Sequence, residues 1–140
     1  YACEPVLHDV IAQLTHKPGQ PFYIKKTMLP IRTAIETIHR IGGIAVLAHP
    51  GYYELSPRKL STQVSRLADM GLDGVEVFHA DYAREVWKSY LQLAKKNRLL
   101  VSCGSDTHDL SEGGVGAIIA PKRVVTQALQ PFLNRLWGDR

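Results

Sequence analysis

From about residue 31 onward the chain alternates amphipathic stretches with short apolar runs, and this alternation restricts its possible folds more than any other feature. The apolar runs lie at 44–48, 74–78, 99–103 and 116–120. Strands separated by single helices pair in parallel, because each crossover returns the chain to the same edge, and near-continuous apolar strands suit a sheet that is covered on both faces. We therefore predict an α/β fold with four parallel strands, in an open sheet or in part of a barrel.

Helix boundaries are indicated by capping residues and by proline. Ser56 followed by Pro57 predicts the start of one helix, and Gly71 predicts its end. Asp81 predicts the N-cap of the next helix. Pro131 lies inside the last helical pattern, which begins near residue 121, and we expect it to kink or split that helix because an interior proline lacks the N–H that the position must donate.

Composition is that of a soluble domain with a core of its own. The chain has 140 residues, of which 45% are hydrophobic and 21% charged, and no run approaches the roughly 20 apolar residues of a membrane span. The net charge of +4 favours encounters with phosphorylated ligands or nucleic acid without deciding between them. Two cysteines form no disulfide framework, and no signal peptide is visible, so we expect a cytoplasmic location.

Polar residues follow three successive predicted strands, at the point where each strand ends. His49 follows the first run, His79 follows the second, and Asp106 and His108 follow the third. Each has an ordinary alternative, as a loop, turn or capping residue. Because the carboxyl ends of parallel strands meet at one edge, where α/β active sites are built, we expect these four side chains to converge in one cleft.

Three imidazoles and a carboxylate form a donor set that suits zinc, iron or manganese. A metal bound there would polarise a phosphoryl or carbonyl oxygen and acidify a bound water. A His/Asp acid-base pair is the alternative, but no serine or cysteine nucleophile is evident, since Cys103 lies within a strand and is expected in the core. Glu76, in mid-strand, is interpreted either as a solvated residue or as the buried partner of a basic group.

The remaining histidines are weaker candidates. His39 is expected on the surface at the opposite end of the sheet, and His8 and His16 fall in the irregular first thirty residues, where no face can be assigned.

The segments "AIETIHRIGGIAVLAHPGYY", "GLDGVEVFHADY" and "LLVSCGSDTHD" resemble the second half of a phosphoesterase of the polymerase and histidinol phosphatase (PHP) superfamily. The resemblance extends from about residue 22 to the C-terminus. It is greatest to the branch that includes nucleoside 3′,5′-bisphosphate phosphatases and 5′-to-3′ exoribonucleases acting on short RNA. "AHPG" and "GSDxH", in this order and context, form a specific pair of motifs.

The resemblance implies a distorted (β/α)7 barrel with two or three divalent ions, commonly manganese, zinc or iron, at the carboxyl ends of its strands. By position, His49, Asp106 and His108 correspond to metal ligands. His79 corresponds to a residue beside the site, so we consider it a candidate for catalysis and for contact with the substrate phosphate. Family members often have a further histidine where this chain has Tyr82.

One family feature is absent, because the H-x-H pair that begins the family's barrel occurs nowhere in this chain. The chain therefore resembles a C-terminal half: residues 1–29 correspond to the end of a helical insertion, and residues 30–140 to the last βα units of the barrel. We expect a fragment of a longer enzyme, inactive alone, whose open sheet edges favour self-association. A degenerate relative is the alternative.

The predicted function is metal-dependent hydrolysis of phosphate esters of nucleotides or short RNA. The expected partners are a phosphorylated small molecule or a short nucleic acid, and no membrane. A non-catalytic module for assembly or nucleic-acid binding is the alternative of another class. An amidohydrolase-type barrel would also place metal-binding residues at strand ends, but it does not predict both motifs together.

Overall fold

The structure is a computed structural model that describes residues 19–22, 24, 28–107 and 116–138. The chain divides into two compact units, Tyr1–Pro30 and Ile31–Arg140. Most of the first unit, with His8 and His16, lies outside the described residues. The assignment of residues 1–29 to a helical insertion remains a prediction.

Helices and strands alternate through the second unit, as the sequence pattern predicts. In chain order they are α1 (Ile31–Arg40), β1 (Val46–Leu47), a 3₁₀ turn (Pro50–Tyr53), α2 (Pro57–Asp69), β2 (Gly74–His79), α3 (Arg84–Lys96), β3 (Leu100–Gly104) and α4 (Lys122–Trp137). The 3₁₀ turn is called the tyrosine turn below. Among the described helices, none combines the length and the apolarity that a bilayer crossing requires.

The strands form a parallel sheet in the order β1-β2-β3, which confirms the predicted α/β class. The pairing of β2 with β3 is interrupted by a bulge between Glu76 and Phe78, where β2 carries one extra residue. As a result His79 pairs with Gly104. Bulges re-aim side chains, and this one lies just before the carboxyl end of β2.

The core is centred on β2, where Val75, Val77 and Phe78 are completely buried. On the helices, Val64 of α2 and Ala94 of α3 are buried to the same degree. A strand that is apolar at nearly every position is thus covered by helices, which is the usual environment of a parallel strand.

Asp73 joins several elements at the amino-terminal edge of the sheet. Its carboxylate accepts hydrogen bonds from the backbone N–H of Ala45 at 2.8 Å, from Nε2 of His39 at 2.6 Å and from Nη2 of Arg135 at 3.0 Å. Burial alone would raise the pKa of this carboxyl, but the hydrogen bonds and the positive partners outweigh it and hold the pKa below its ordinary value. His39 therefore lies, as predicted, at the end of the sheet opposite the candidate site.

The predicted start and end of α2 are confirmed. The hydroxyl of Ser56 accepts the backbone N–H of Lys59 at 3.4 Å, and Pro57 is the first helical residue. Gly71, two residues beyond the last helical residue, has a left-handed backbone with φ +100°.

Asp81 does not cap α3, so that prediction is wrong. The N-cap is Ala83, which makes no side-chain capping bond. The carboxylate of Asp81 instead accepts a hydrogen bond from the hydroxyl of Tyr52.

The fourth strand predicted at 116–120 is also absent, since these residues form a turn and bends. A strand requires a ladder of backbone hydrogen bonds, and no strand in the described ranges pairs with this segment. Ile119 is accordingly 63% exposed.

Pro131 does not split α4, which runs unbroken from Lys122 to Trp137. The proline is exposed to solvent. The helix packs against the core through the partly buried residues Val124, Val125, Ala128 and Leu129. Tertiary packing on the sheet compensates for the hydrogen bond that the proline removes.

Candidate metal and phosphate site

The carboxyl edge, by which we mean the carboxyl ends of β1, β2 and β3 with the loops 48–56, 80–83 and 105–107, contains the candidate site. His49 lies in the first loop with a left-handed backbone of φ 30°, which is uncommon for a residue other than glycine. Its backbone N–H donates to Oε2 of Glu76 on β2 at 2.6 Å. A short, charge-assisted hydrogen bond from the neighbouring strand thus holds His49 in this conformation.

The imidazole of His49 is partly buried within an aromatic group. Its ring centroid lies 5.5 Å from that of Tyr52 and 6.3 Å from that of Tyr53. Its Nδ1 atom is buried and has no hydrogen-bond partner in the described part of the chain. An unsatisfied buried nitrogen costs about 1–3 kcal/mol, so such atoms are unusual unless a ligand completes them.

His79, at the end of β2, is only 1% exposed and packs against two tyrosines. Its ring lies edge-on to Tyr52 at 5.3 Å and tilted against Tyr82 at 5.0 Å. Nδ1 accepts the backbone N–H of Asp81 at 3.2 Å, so in the neutral ring the proton resides on Nε2. That Nε2 is buried without a partner among the described residues.

Tyr82 stands where PHP-type proteins often have a histidine, and it contacts the tyrosine turn. Its hydroxyl accepts the backbone N–H of Gly51 at 2.8 Å. A Cβ on Gly51 would lie 2.8 Å from the Tyr82 ring, so this close approach requires glycine. Burial, opposed by the bond from Gly51, raises the pKa of Tyr82 to about 12.

Glu76 also contacts the end of β3, where a Cβ on Gly104 would lie 2.5 Å from its Oε1 atom. The glycine therefore provides the space that the carboxylate occupies. Asp106 follows two residues later, exposed and with φ 51°. His108 lies outside the described residues, so its predicted place at this edge stays a prediction.

The electrostatic environment of the carboxyl edge is negative. The Tyr52 hydroxyl donates to Oδ2 of Asp81 at 2.5 Å, and this bond is the main cause that raises the pKa of Tyr52 to about 12. Burial adds to the rise, as do the charges of Asp81, Asp106 and Glu76. Carboxylates grouped around imidazoles favour a divalent cation.

The donor types thus suit a divalent metal, but the described residues do not by themselves complete a centre. Within 28–107 and 116–138, no three side chains of histidine, cysteine, aspartate or glutamate come together closely enough to hold an ion. His49 and His79 contribute two of the three buried side-chain atoms without partners in the described ranges, and the third is the indole nitrogen of Trp87. Unsatisfied nitrogens are therefore concentrated where the sequence predicts a ligand.

Sequence reasoning missed the role of Glu76. Both interpretations offered for it, a solvated residue or the partner of a basic group, are wrong, because the carboxylate binds the backbone of His49. The available signal was a carboxylate within an otherwise apolar strand. Cys103 is partly buried next to it, and burial, with the charge of Glu76 adding to it, raises the pKa of the thiol. This agrees with a packing role and not with a nucleophile.

A cavity of about 470 Å³ lies between α2 and α3, lined mainly by apolar side chains such as Leu60, Val86 and Leu93. It contains none of the predicted site residues.

No protein-family model matches the chain. Two curated relatives are similar to it. One is the 5′-3′ exoribonuclease Rnm of Salmonella typhimurium, 38% identical over 90 residues, which are 64% of this chain and 31% of the relative. The other is the 3′,5′-nucleoside bisphosphate phosphatase of Chromobacterium violaceum, 29% identical over 124 residues, which are 87% of this chain and 41% of the relative. The chain thus spans 31% of the length of the first relative and 41% of the length of the second.

Two solved structures have folds similar to that of this chain. An amidohydrolase from Chromobacterium violaceum superposes with a TM-score of 0.64 at 24% identity, over 86% of this chain and 44% of that one. A protein from Bifidobacterium adolescentis described as a metal-dependent phosphoesterase superposes with a TM-score of 0.60 at 27% identity, over 87% of this chain and 43% of that one. These likenesses confirm the resemblance to PHP-type phosphoesterases that the sequence motifs indicate.

Proposed function

We propose that this chain supplies part of the active site of a PHP-type, metal-dependent phosphoesterase that hydrolyses phosphate esters of nucleotides or short RNA. The observation that carries the proposal is a pair of buried ring nitrogens, Nδ1 of His49 and Nε2 of His79, which lack a hydrogen-bond partner among the described residues and lie at the ends of neighbouring parallel strands. The names of the relatives, an exoribonuclease and a nucleoside bisphosphate phosphatase, support the substrate class.

In this proposal His49, Asp106 and His108 are the metal ligands that the chain provides. The ions are manganese, zinc or iron, two or three in the complete site, with further ligands from outside these residues. A bound divalent ion supplies Lewis-acid stabilisation of a phosphoryl oxygen and an acidified water near neutral pH. Glu76 fixes the backbone of His49 and so orients that ligand.

The proposed role of His79 is to donate a hydrogen bond from Nε2 to a phosphate oxygen. Its tautomer supports this role, because the contact between Nδ1 and the N–H of Asp81 leaves the proton on Nε2. At 1% exposure, the ring is reached only after a covering side chain moves aside. His79 would then assist phosphate binding and the departure of the leaving oxygen.

The partner is a phosphorylated small molecule or short nucleic acid, encountered in the cytoplasm. Residues 1–29 end a helical insertion, and residues 30–140 form the last βα units of a barrel. Because β1 and β3 are the outer strands of the described sheet, the isolated chain associates with itself through those edges.

The test is metal-dependent hydrolysis by the full protein that contains this chain. We expect manganese-dependent release of p-nitrophenol from bis-p-nitrophenyl phosphate and of inorganic phosphate from adenosine 3′,5′-bisphosphate. His49→Ala and Asp106→Asn should each lower kcat/KM roughly 100-fold or more, since the first removes a ligand and the second replaces a charged ligand with a neutral one.

His39→Gln is the matched control, because His39 lies at the opposite end of the sheet and glutamine keeps a donor for Asp73. It should retain activity within about twofold. Equal activity with and without manganese, or equal losses in the His39 and His49 variants, would reject the proposed function.

A further inference from the structure

The tyrosine turn places two half-exposed aromatic rings beside the candidate site. Tyr52 is 49% exposed and Tyr53 is 46% exposed, although both contact the imidazole of His49. Neither tyrosine belongs to the hydrophobic core or to the partly buried residues packed against it. Core packing therefore does not explain why two large aromatic residues occupy these positions.

The turn is fixed in one conformation by its ends and by its interior. The flanking residues His49 and Glu54 both have left-handed backbones, with φ 30° and 49°. Within the turn, the N–H of Gly51 donates to the Tyr82 hydroxyl, and the N–H of Tyr52 donates to the carbonyl of His49 at 3.1 Å. Aromatic rings held in this way contact a ligand with little further loss of conformational freedom.

The hydroxyl groups of both tyrosines are already engaged within the protein. Tyr52 donates to Asp81, and Tyr53 donates to the backbone carbonyl of Ala48 at 3.3 Å. Both residues are about half exposed, and a hydroxyl group that already bonds within the protein leaves the ring as the part that can contact a ligand. Ring faces stack on nucleobases, with about 1–3 kcal/mol per base and little dependence on which base is bound.

We propose that Tyr52 and Tyr53 form a stacking platform for the base of a nucleotide whose phosphate lies at the carboxyl edge. This inference rests on the proposed function and deepens it, because it assigns base recognition to a turn that directly follows His49. If the proposal is correct, the site binds nucleotides more tightly than phosphate esters that lack a base, and this difference in affinity depends on the two tyrosine rings.

A nucleotide and its base-free counterpart provide the test, adenosine 5′-monophosphate and ribose 5-phosphate, titrated by calorimetry into the full protein that contains this chain. We expect the wild-type protein to bind the nucleotide about 10-fold more tightly. Tyr52→Leu and Tyr53→Leu should each reduce this advantage to about threefold or less while leaving the affinity for ribose 5-phosphate unchanged.

Two further variants separate stacking from other effects. Tyr52→Phe keeps the ring and removes the bond to Asp81, so it should retain most of the preference for the nucleotide. Trp137→Leu replaces a 59% exposed aromatic residue at the end of α4, away from the carboxyl edge, and should change neither affinity. Melting temperatures of all variants establish that each is folded.

Proton NMR adds a direct signature of stacking. Ring currents from a stacked tyrosine shift the adenine H2 and H8 resonances upfield on binding, and this shift should disappear in Tyr52→Leu. A tyrosine that only supported the loop would produce no such shift in the wild-type chain.

The stacking proposal is overturned if the full wild-type protein binds both ligands equally or binds neither, or if the leucine variants weaken the binding of both ligands alike. Failure of the platform differs from failure of the proposed function. Hydrolysis of bis-p-nitrophenyl phosphate needs no nucleobase, so it persists in the full protein if only the platform is wrong.

Discussion

The backbone of His49 depends on one carboxylate in the neighbouring strand. The left-handed conformation of His49 is unfavourable for a residue with a side chain, and the 2.6 Å hydrogen bond to Glu76 is the contact that compensates for it. Glu76 is in turn accommodated because residue 104 is a glycine. The ends of all three strands are thereby linked through a single side chain.

Replacing Glu76 should therefore disturb His49 specifically. Glu76→Ala leaves the N–H of His49 unsatisfied and should lower the free energy of unfolding by about 1–3 kcal/mol. The amide proton resonance of His49 should move upfield in the NMR spectrum, whereas Glu76→Gln, which keeps an accepting oxygen, should give an intermediate shift.

Glu36→Ala is the matched control, because Glu36 is an exposed carboxylate on α1. It should alter neither the resonance nor the stability by more than about 0.5 kcal/mol. An unchanged His49 resonance in Glu76→Ala would show that the hydrogen bond does not hold this backbone.

At the scale of residues, the sequence predicted where His49 and His79 lie but not what surrounds them. A histidine that directly follows an apolar run has a definite place at the carboxyl end of a strand, so its location follows from the pattern. The contact of Glu76 with a backbone amide and that of Tyr82 with Gly51 join residues 27 and 31 positions apart. No local pattern encodes such contacts.

The elements are joined at the amino-terminal edge of the sheet by Asp73. Its three partners come from α1, from the residue preceding β1 and from α4. The backbone N–H of Ala45 is buried, so its loss of an acceptor is costly, whereas the exposed side chain of Arg135 contributes less.

Asp73→Ala should lower the free energy of unfolding at pH 7 by about 2–3 kcal/mol, and Asp73→Asn, which keeps an oxygen for Ala45, by less. The pKa of Asp73 is lowered by folding, so its stabilising charge is fully present above its unfolded pKa of about 3.9 and is lost as pH falls through the folded value.

The difference in melting temperature between wild type and Asp73→Asn should accordingly shrink between about pH 5 and pH 2. Asp69→Asn, an exposed aspartate at the end of α2, should show no such difference at any pH. A difference for Asp73→Asn that is the same at pH 7 and pH 2 would mean that its charge does not stabilise the fold.

Helices and strands were predicted correctly where the local sequence signals agree with burial. The predictions failed where the structure depends on contacts with residues distant in the sequence. The cap of α2 is encoded by Ser56 and Pro57 themselves. The apolar run at 116–120 has strand-like composition, but strand formation depends on a neighbouring edge. Asp81 is a good capping residue that a tyrosine from another loop engages instead.

At the scale of the whole molecule, the described sheet has two outer strands and the chain spans less than half of the relatives it resembles. Strand edges present unpaired backbone groups that recruit another chain. We expect the isolated chain to elute from size-exclusion chromatography with a mass, by light scattering, above that of a monomer, and to dissociate on dilution. A clean monomer at every concentration would contradict this expectation.

The parallel α/β class could be predicted from the alternation of elements, since that pattern is repeated along the whole second unit. The number of strands could not, because it depends on which apolar segments find partners in space. The family resemblance rested on three segments, two of which contain the specific motifs "AHPG" and "GSDxH", and the comparisons confirm it.

The central claim is that the carboxyl edge binds divalent metal through His49 and Asp106, and manganese binding followed by electron paramagnetic resonance tests it most directly. Free Mn²⁺ gives a sharp six-line signal that disappears on binding. We predict that the full protein that contains this chain removes this signal, that its His49→Ala and Asp106→Asn variants bind at least about 10-fold more weakly, and that His39→Gln binds as the wild type does. The same affinity in the wild-type protein and in His49→Ala, or no binding by the full wild-type protein, would contradict the claim.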